Sequence, residues 1–138
     1  MTEYSLRVGI DVSAQTVSVA WGTTPDDKPA VTEFKQSATG YGRLIQQLRE
    51  TGHAPARCQV VMEATGTYWM RLAYALHEAG FVVSVVNPVQ AHRLAQAHLR
   101  RAKTDAMDAQ LLMELGFKLK PTPWTPPPPL LVLSTAYV

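Results

Sequence analysis

The chain opens with strict alternation: Leu6, Val8, Ile10 and Val12 are apolar, and Arg7, Gly9 and Asp11 fall between them. A period of two sends successive side chains to opposite faces, so the pattern predicts a strand. Val17 to Trp21 predicts a second short strand after the polar turn Ser13-Ala14-Gln15. Ala30 to Lys35 predicts a third, beyond the turn-forming Thr24-Pro25-Asp26-Asp27-Lys28-Pro29. Close succession suggests an antiparallel meander. The period then lengthens: Leu44, Ile45 and Leu48 predict a helix from about Tyr41 to Glu50, ending near Gly52. Gln59 to Met62 reads as a buried strand leading into Glu63. Thr65-Gly66-Thr67 reads as a turn, with Thr67 placed to cap a helix carrying Trp69, Leu72, Ala73 and Leu76, which Gly80 stops.

Phe81 to Val86 is nearly all apolar, as in a strand buried on both faces of a parallel sheet. Asn87-Pro88 resembles a helix cap followed by proline at the first helical position, and a helix through about Leu99 should follow. Arg100-Arg101-Ala102-Lys103 reads as a loop. A last helix then runs from the Asp105/Asp108 pair to about Gly116. Three strands in a meander, helix, strand, helix, strand, helix, helix is the succession of a ribonuclease H-like α/β domain. Such a domain has a five-stranded mixed sheet flanked by helices. We assign it to residues 1–120. From Pro121 the texture changes: six of the ten prolines lie between Pro121 and Pro129, so residues 121–138 read as an extended spacer and tail rather than a packed element.

Composition narrows the class. A chain of 138 residues suits one domain, and 46 % hydrophobic with 17 % charged residues excludes a disordered chain. The apolar runs are too short to cross a bilayer, and the opening Met1-Thr2-Glu3-Tyr4-Ser5-Leu6-Arg7 lacks the pattern of a secretion signal. The single cysteine, Cys58, reads as strand filler in a reducing cytoplasm. The net charge of +2 is uneven. Residues 1–90 carry 7 Lys and Arg against 8 Asp and Glu, and residues 91–138 carry 6 against 3. Much of the excess is Arg93, Arg100, Arg101 and Lys103, just before the paired aspartates. Such a cluster suits a solvated face; beside acids it also draws a polyanion to a site that would otherwise repel it.

The acids supply the candidate chemistry. Read as a helix, Asp105 and Asp108 stand at i and i+3 and share a stripe with Leu112 and Leu115, where the core-facing side emerges. A solvated first helical turn is the plainer account of the same spacing. Asp11 sits among Gly9, Ile10 and Val12, with Gly9 leaving room for close approach, and Glu63 ends the fourth strand, which this fold places beside the first. Two unit charges 4 Å apart cost about 4 kcal/mol at an effective dielectric near 20, so four converging carboxylates need cations. Oxygen-only ligands favour Mg²⁺, with Mn²⁺ as substitute. Two such ions can clamp both oxygens of an in-line phosphoryl displacement. His92 and His98 read as surface or backbone-contacting residues.

Gly9-Ile10-Asp11-Val12-Ser13, Met62-Glu63-Ala64-Thr65-Gly66-Thr67-Tyr68-Trp69, Asn87-Pro88 and Ala102-Lys103-Thr104-Asp105-Ala106-Met107-Asp108-Ala109 together resemble the DEDD transposases of insertion sequences. That group includes the Piv-type DNA invertases and the bridge-RNA-guided recombinases, and the resemblance covers about residues 6–129. It implies a RuvC-like domain acting on DNA phosphodiesters, with Asp11, Glu63, Asp105 and Asp108 as the catalytic, metal-binding tetrad. It also implies oligomeric assembly of the full-length protein and, in some members, a structured noncoding guide RNA. A serine-bearing domain follows the spacer in such proteins; it is expected to lie outside these residues, and Ser134 does not take its role. Arg93, Arg100, Arg101, Lys103 and Thr67 are the candidate nucleic-acid contacts, with Tyr68 or Trp69 available to stack on a base or ribose. A Holliday-junction resolvase or another nuclease of the same fold, a non-catalytic nucleic-acid-binding fragment and half of an actin-like ATPase or sugar kinase are the rival accounts.

Overall fold

The computed structural model describes residues 3–98 and 107–127. The first three strands, β1 (Leu6–Val12), β2 (Thr16–Gly22) and β3 (Thr32–Lys35), form the antiparallel meander that the alternation predicts. Helix α1 (Ala38–Glu50) leads to β4 (Cys58–Glu63), α2 (Trp69–Glu78) to β5 (Val82–Val86), and α3 (Pro88–His98) and α4 (Ala109–Leu119) follow. The sheet order is β3-β2-β1-β4-β5, with β4 parallel to both β1 and β5. The mixed five-stranded sheet is the one the element order implies.

Alternation along the central strands divides the core between two faces. Leu6, Val8 and Ile10 of β1 and Val60 and Met62 of β4 pack with Leu44 and Leu48 of α1 and Leu72 and Leu76 of α2. Val61 of β4 packs on the opposite face with Ala91 and Ala95 of α3 and Leu111, Leu112 and Leu115 of α4. Side chains cap two helices: α3 at the expected Asn87, and α1 at Ser37, so that α1 begins three residues ahead of the expected Tyr41. Ser37 Oγ accepts from the Gly40 amide, and Asn87 Oδ1 accepts from the amides of Val89 and Gln90.

Four expectations are corrected. Thr67 does not cap α2: the helix begins at Trp69, and Tyr68 occupies the cap position in a helical conformation with no side-chain hydrogen bond. α4 begins only at Ala109, so Asp108 precedes the helix instead of riding on it, and the helix runs past Gly116 to Leu119. β5 pairs parallel to β4 as expected but is only partly buried: Val83 and Ser84 are covered, and Val82, Val85 and Val86 are half-buried at the edge of the sheet. The proline-rich stretch is extended but is not a free spacer as far as Pro127. The Trp124 amide donates to Val83 O at 2.6 Å on the outer edge of β5. Pro121 O accepts from Gln59 Nε2 at 2.9 Å and from Ser84 Oγ at 3.3 Å. The Trp124 ring meets Trp69, Tyr74 and His77 edge-on, with centroids 6.0, 5.3 and 6.1 Å away.

The placement of α4 decides where Asp108 lies. A Cβ on Gly9 would fall inside the Ala109 carbonyl oxygen and the Met113 amide nitrogen, so the first turns of α4 rest on bare β1 backbone. Further along, a Cβ on Gly116 would stand 3.0 Å from Val61 Cγ2. Backbone atoms of a packed helix cannot yield as a flexible side chain can. Gly9→Ala should therefore lift α4 from the sheet and cost about 2–3 kcal/mol in urea denaturation, whereas Gly42→Ala, with nothing near its Cβ direction, should cost nothing measurable.

Candidate functional site

Ile10 of β1 and Met62 of β4 are partners in the parallel register, which makes Asp11 and Glu63 the next residues on neighbouring strands. Ile10 and Met62 point into the core beneath α1 and α2. One residue on, Asp11 and Glu63 turn to the other face, the one carrying α3 and α4. Glu63 stays paired with Val86, and the Ala64 amide donates to Val86 O at 2.9 Å, so the end of β4 is held by β5. Asp108 arrives from the opposite direction. Its backbone is extended (φ −89°, ψ 177°), its Oδ1 accepts from the Leu111 amide at 2.8 Å, and its carbonyl accepts from Leu112 at 2.9 Å. As the cap of a helix seated on Gly9, it lies beside the end of β1.

The electrostatics record this convergence. Partial burial raises the Asp11 carboxyl above its ordinary value even though the residue reaches solvent, and the charge of Asp108 adds to the rise. Burial likewise raises Glu63, whose side chain is only 15 % exposed; the neighbouring His92 opposes that rise and Asp11 adds to it. Asp11 is thus coupled to acids on both sides. Among the described residues, no three His, Cys, Asp or Glu side chains form a group that would enclose a metal ion. The acids reach one another electrostatically without forming a closed cage.

Asp105, Arg100, Arg101 and Lys103 lie outside the described residues, so the expected i, i+3 partnership of the two aspartates has only Asp108 placed, and that as a cap. Thr67 is exposed in the turn after β4, and Arg93 is exposed on α3. His92 reaches the surface as expected, and in addition its Nε2 stands 3.4 Å from Glu63 Oε1, which makes it the partner of a candidate site acid. Its position in the second turn of α3 brings it back over the end of β4, a contact across elements that no local pattern announces.

Both raised carboxyls favour the folded state while protonated. Their contribution is present below the ordinary carboxylate range and is lost as pH rises through the raised values. Asp11→Asn should therefore stabilise the metal-free chain at pH 7 by a few tenths of a kcal/mol after solvent screening, with the gain vanishing near pH 3, as thermal denaturation at low ionic strength would register. Asp108→Asn should keep the cap and be near neutral, because the repulsion it relieves is offset by the helix-dipole attraction it loses, whereas Asp108→Ala should lose about 1 kcal/mol with the cap.

Comparison with known proteins supplies the family. The family model of the IS110-type DEDD transposases, described as "Transposase", matches residues 8–131. The pilin gene-inverting protein of Moraxella bovis is 34 % identical over 93 residues, covering 67 % of this chain and 29 % of that protein. Its counterpart in Moraxella lacunata is 30 % identical over 119 residues, covering 86 % of this chain and 36 % of that one. The chain spans about a third of the length of these curated relatives. T. thermophilus RuvC, solved in complex with a Holliday junction substrate, superposes with a TM-score of 0.52 at 14 % identity over 86 % of this chain and 99 % of that one. That likeness bears on the fold, which is ribonuclease H-like. With a family match that runs from the first strand into the proline-rich strap, this chain belongs to the DEDD transposase family of insertion sequences.

Proposed function

We propose that this chain is the metal-dependent catalytic domain of a DNA transposase or site-specific recombinase, acting on phosphodiesters through Asp11, Glu63, Asp105 and Asp108. The observation that carries the proposal is geometric: the parallel register sets Asp11 and Glu63 side by side at the strand ends, and the α4 cap seated on Gly9 brings Asp108 within electrostatic reach of Asp11. Like charges at the end of a sheet repel one another, and a hard divalent cation is the ligand that relieves them. The donor set suits Mg²⁺ or Mn²⁺, because it offers carboxylate oxygens without thiolates. The three acids among the described residues do not by themselves enclose an ion. The proposal therefore assigns Asp105 the completing role.

In that role Asp11 and Glu63 provide rigid oxygens from hydrogen-bonded strands, and Asp108 provides one whose direction the cap bond sets. Divalent ions at these carboxylates would polarise the scissile phosphate and offset the charge gathering on it. His92 Nε2 stands 3.4 Å from Glu63 Oε1 on the α3 side, which orients that carboxylate. Thr67, Arg93, Arg100, Arg101 and Lys103 would contact DNA backbone; the arginines and lysine do so by charge, with the salt dependence this entails. Family membership extends the reading to oligomeric assembly in the whole protein and, as in some members, to guidance by a structured RNA. None of the helices among the described residues is long and apolar enough to cross a membrane.

Calorimetric titration with Mn²⁺ tests the proposal. Wild type should bind Mn²⁺, and Asp11→Asn should lose at least about tenfold in affinity, since each retained acid is left with fewer partners. Wild-type binding should also weaken as pH falls toward the ordinary carboxylate range, because the raised carboxyls take up protons that compete with the metal. Equal Mn²⁺ binding by wild type and Asp11→Asn would overturn the assignment.

A further inference from the structure

We infer that Gln36 is a positioning residue: its side-chain amide clasps together the two loops that leave the Asp11 and Glu63 strands, and so sets how those carboxylates are presented. The inference rests on the carboxylate site proposed above and adds a residue that makes no contact with the acids themselves. Gln36 follows β3, at the end of the sheet where β1 and β4 also finish. Its Nε2 donates to Ser13 O at 2.9 Å and to Tyr68 O at 3.2 Å. Its own backbone amide donates to Gln15 O at 2.9 Å. Ser13 lies two residues beyond Asp11, and Tyr68 five beyond Glu63.

Each loop is closed on itself before Gln36 joins it to the other. In the first, Ser13 Oγ donates to Thr16 O at 2.8 Å, and the Ser13 amide donates to the same carbonyl at 2.9 Å. In the second, the Thr65 amide donates to Glu63 O at 2.9 Å, and Trp69 Nε1 donates to Gly66 O at 3.1 Å. The link between them needs two donors on one planar group, which a primary amide provides. Tyr41 orients that amide. Its buried side chain donates from its hydroxyl to Gln36 Oε1, which forces the NH₂ toward the two carbonyls. All three polar functions are used, and a hydroxyl, a carboxylate or an alkyl chain cannot replace them.

Three variants separate the clasp from general stability. Gln36→Met keeps the volume and removes every bond; Gln36→Glu puts a carboxylate against two carbonyl oxygens; Tyr41→Phe releases only the orienting bond. Cys58→Ala, at the far end of β4, serves as a control for stability loss alone. Mn²⁺ affinity should fall about tenfold in Gln36→Met and Gln36→Glu, less in Tyr41→Phe and not in Cys58→Ala, all measured well below the melting temperature. Amide hydrogen exchange should accelerate at Ser13, Thr16, Thr65 and Met70 in both Gln36 variants, and at none of them in Cys58→Ala. Wild-type Mn²⁺ binding with unchanged affinity and exchange in Gln36→Met would overturn the clasp and leave the carboxylate site standing. If wild type binds no Mn²⁺, the carboxylate reading fails. Exchange then decides the clasp: joint acceleration of the two loops upholds it as a link between them, and unchanged rates overturn it.

Discussion

A missing side chain organises this molecule. At residue 9 the sheet carries only hydrogen, and the backbone of α4 occupies the space that any Cβ would take. Close packing of backbone on backbone is unforgiving, because neither partner has a rotamer to change. The helix is thereby seated with its first turn at the end of β1, and its capping residue comes to rest beside the strand's aspartate. Asp108 meets Asp11 because Gly9 lets it.

That placement gives Asp108 two tasks. Through Oδ1 it satisfies the Leu111 amide, and through its charge it raises the Asp11 carboxyl. The first task stabilises the helix and the second works against the fold. The opposition is tolerable because the positive end of α4 and solvent both reach the cap. Glu63 has the comparable arrangement on the other side, where His92 compensates it and Asp11 strains it. In the proposed reading, a divalent cation relieves this like-charge contact. The stable parts of the domain, the two apolar layers either side of β1 and β4, carry that cost.

Much of the fold was legible in the residues. Alternation gave β1 almost to the residue, Asn87-Pro88 gave the start of α3, and the element order gave the mixed sheet. The failures have physical causes. Asp-x-x-Asp suits one face of a helix, but an aspartate three residues before a free helical amide is also an ideal cap, and at Asp108 the cap prevails. Thr67 had cap chemistry but was one position too early. Phe81 to Val86 suggested full burial because it is nearly all apolar, but it forms the edge of the sheet, where Trp124 covers part of it. His92 beside Glu63 and the bonds of Gln36 join elements distant in sequence, and neither has a local signature. In the candidate site, the neighbouring strand positions of Asp11 and Glu63 were legible from the element order, whereas the cap position of Asp108 required the seating of α4 on Gly9.

The account stands on the energetic contact between Asp11 and Asp108, and a double-mutant cycle measures it directly. The stabilities of wild type, Asp11→Asn, Asp108→Asn and the double variant would be compared without metal at neutral pH and low ionic strength. If the two carboxylates repel, removing either charge relieves the same repulsion, so the double variant should gain less than the sum of the singles. That coupling should disappear in a Gly9→Ala background, where α4 no longer rests on β1. Strict additivity in the native background would contradict the account.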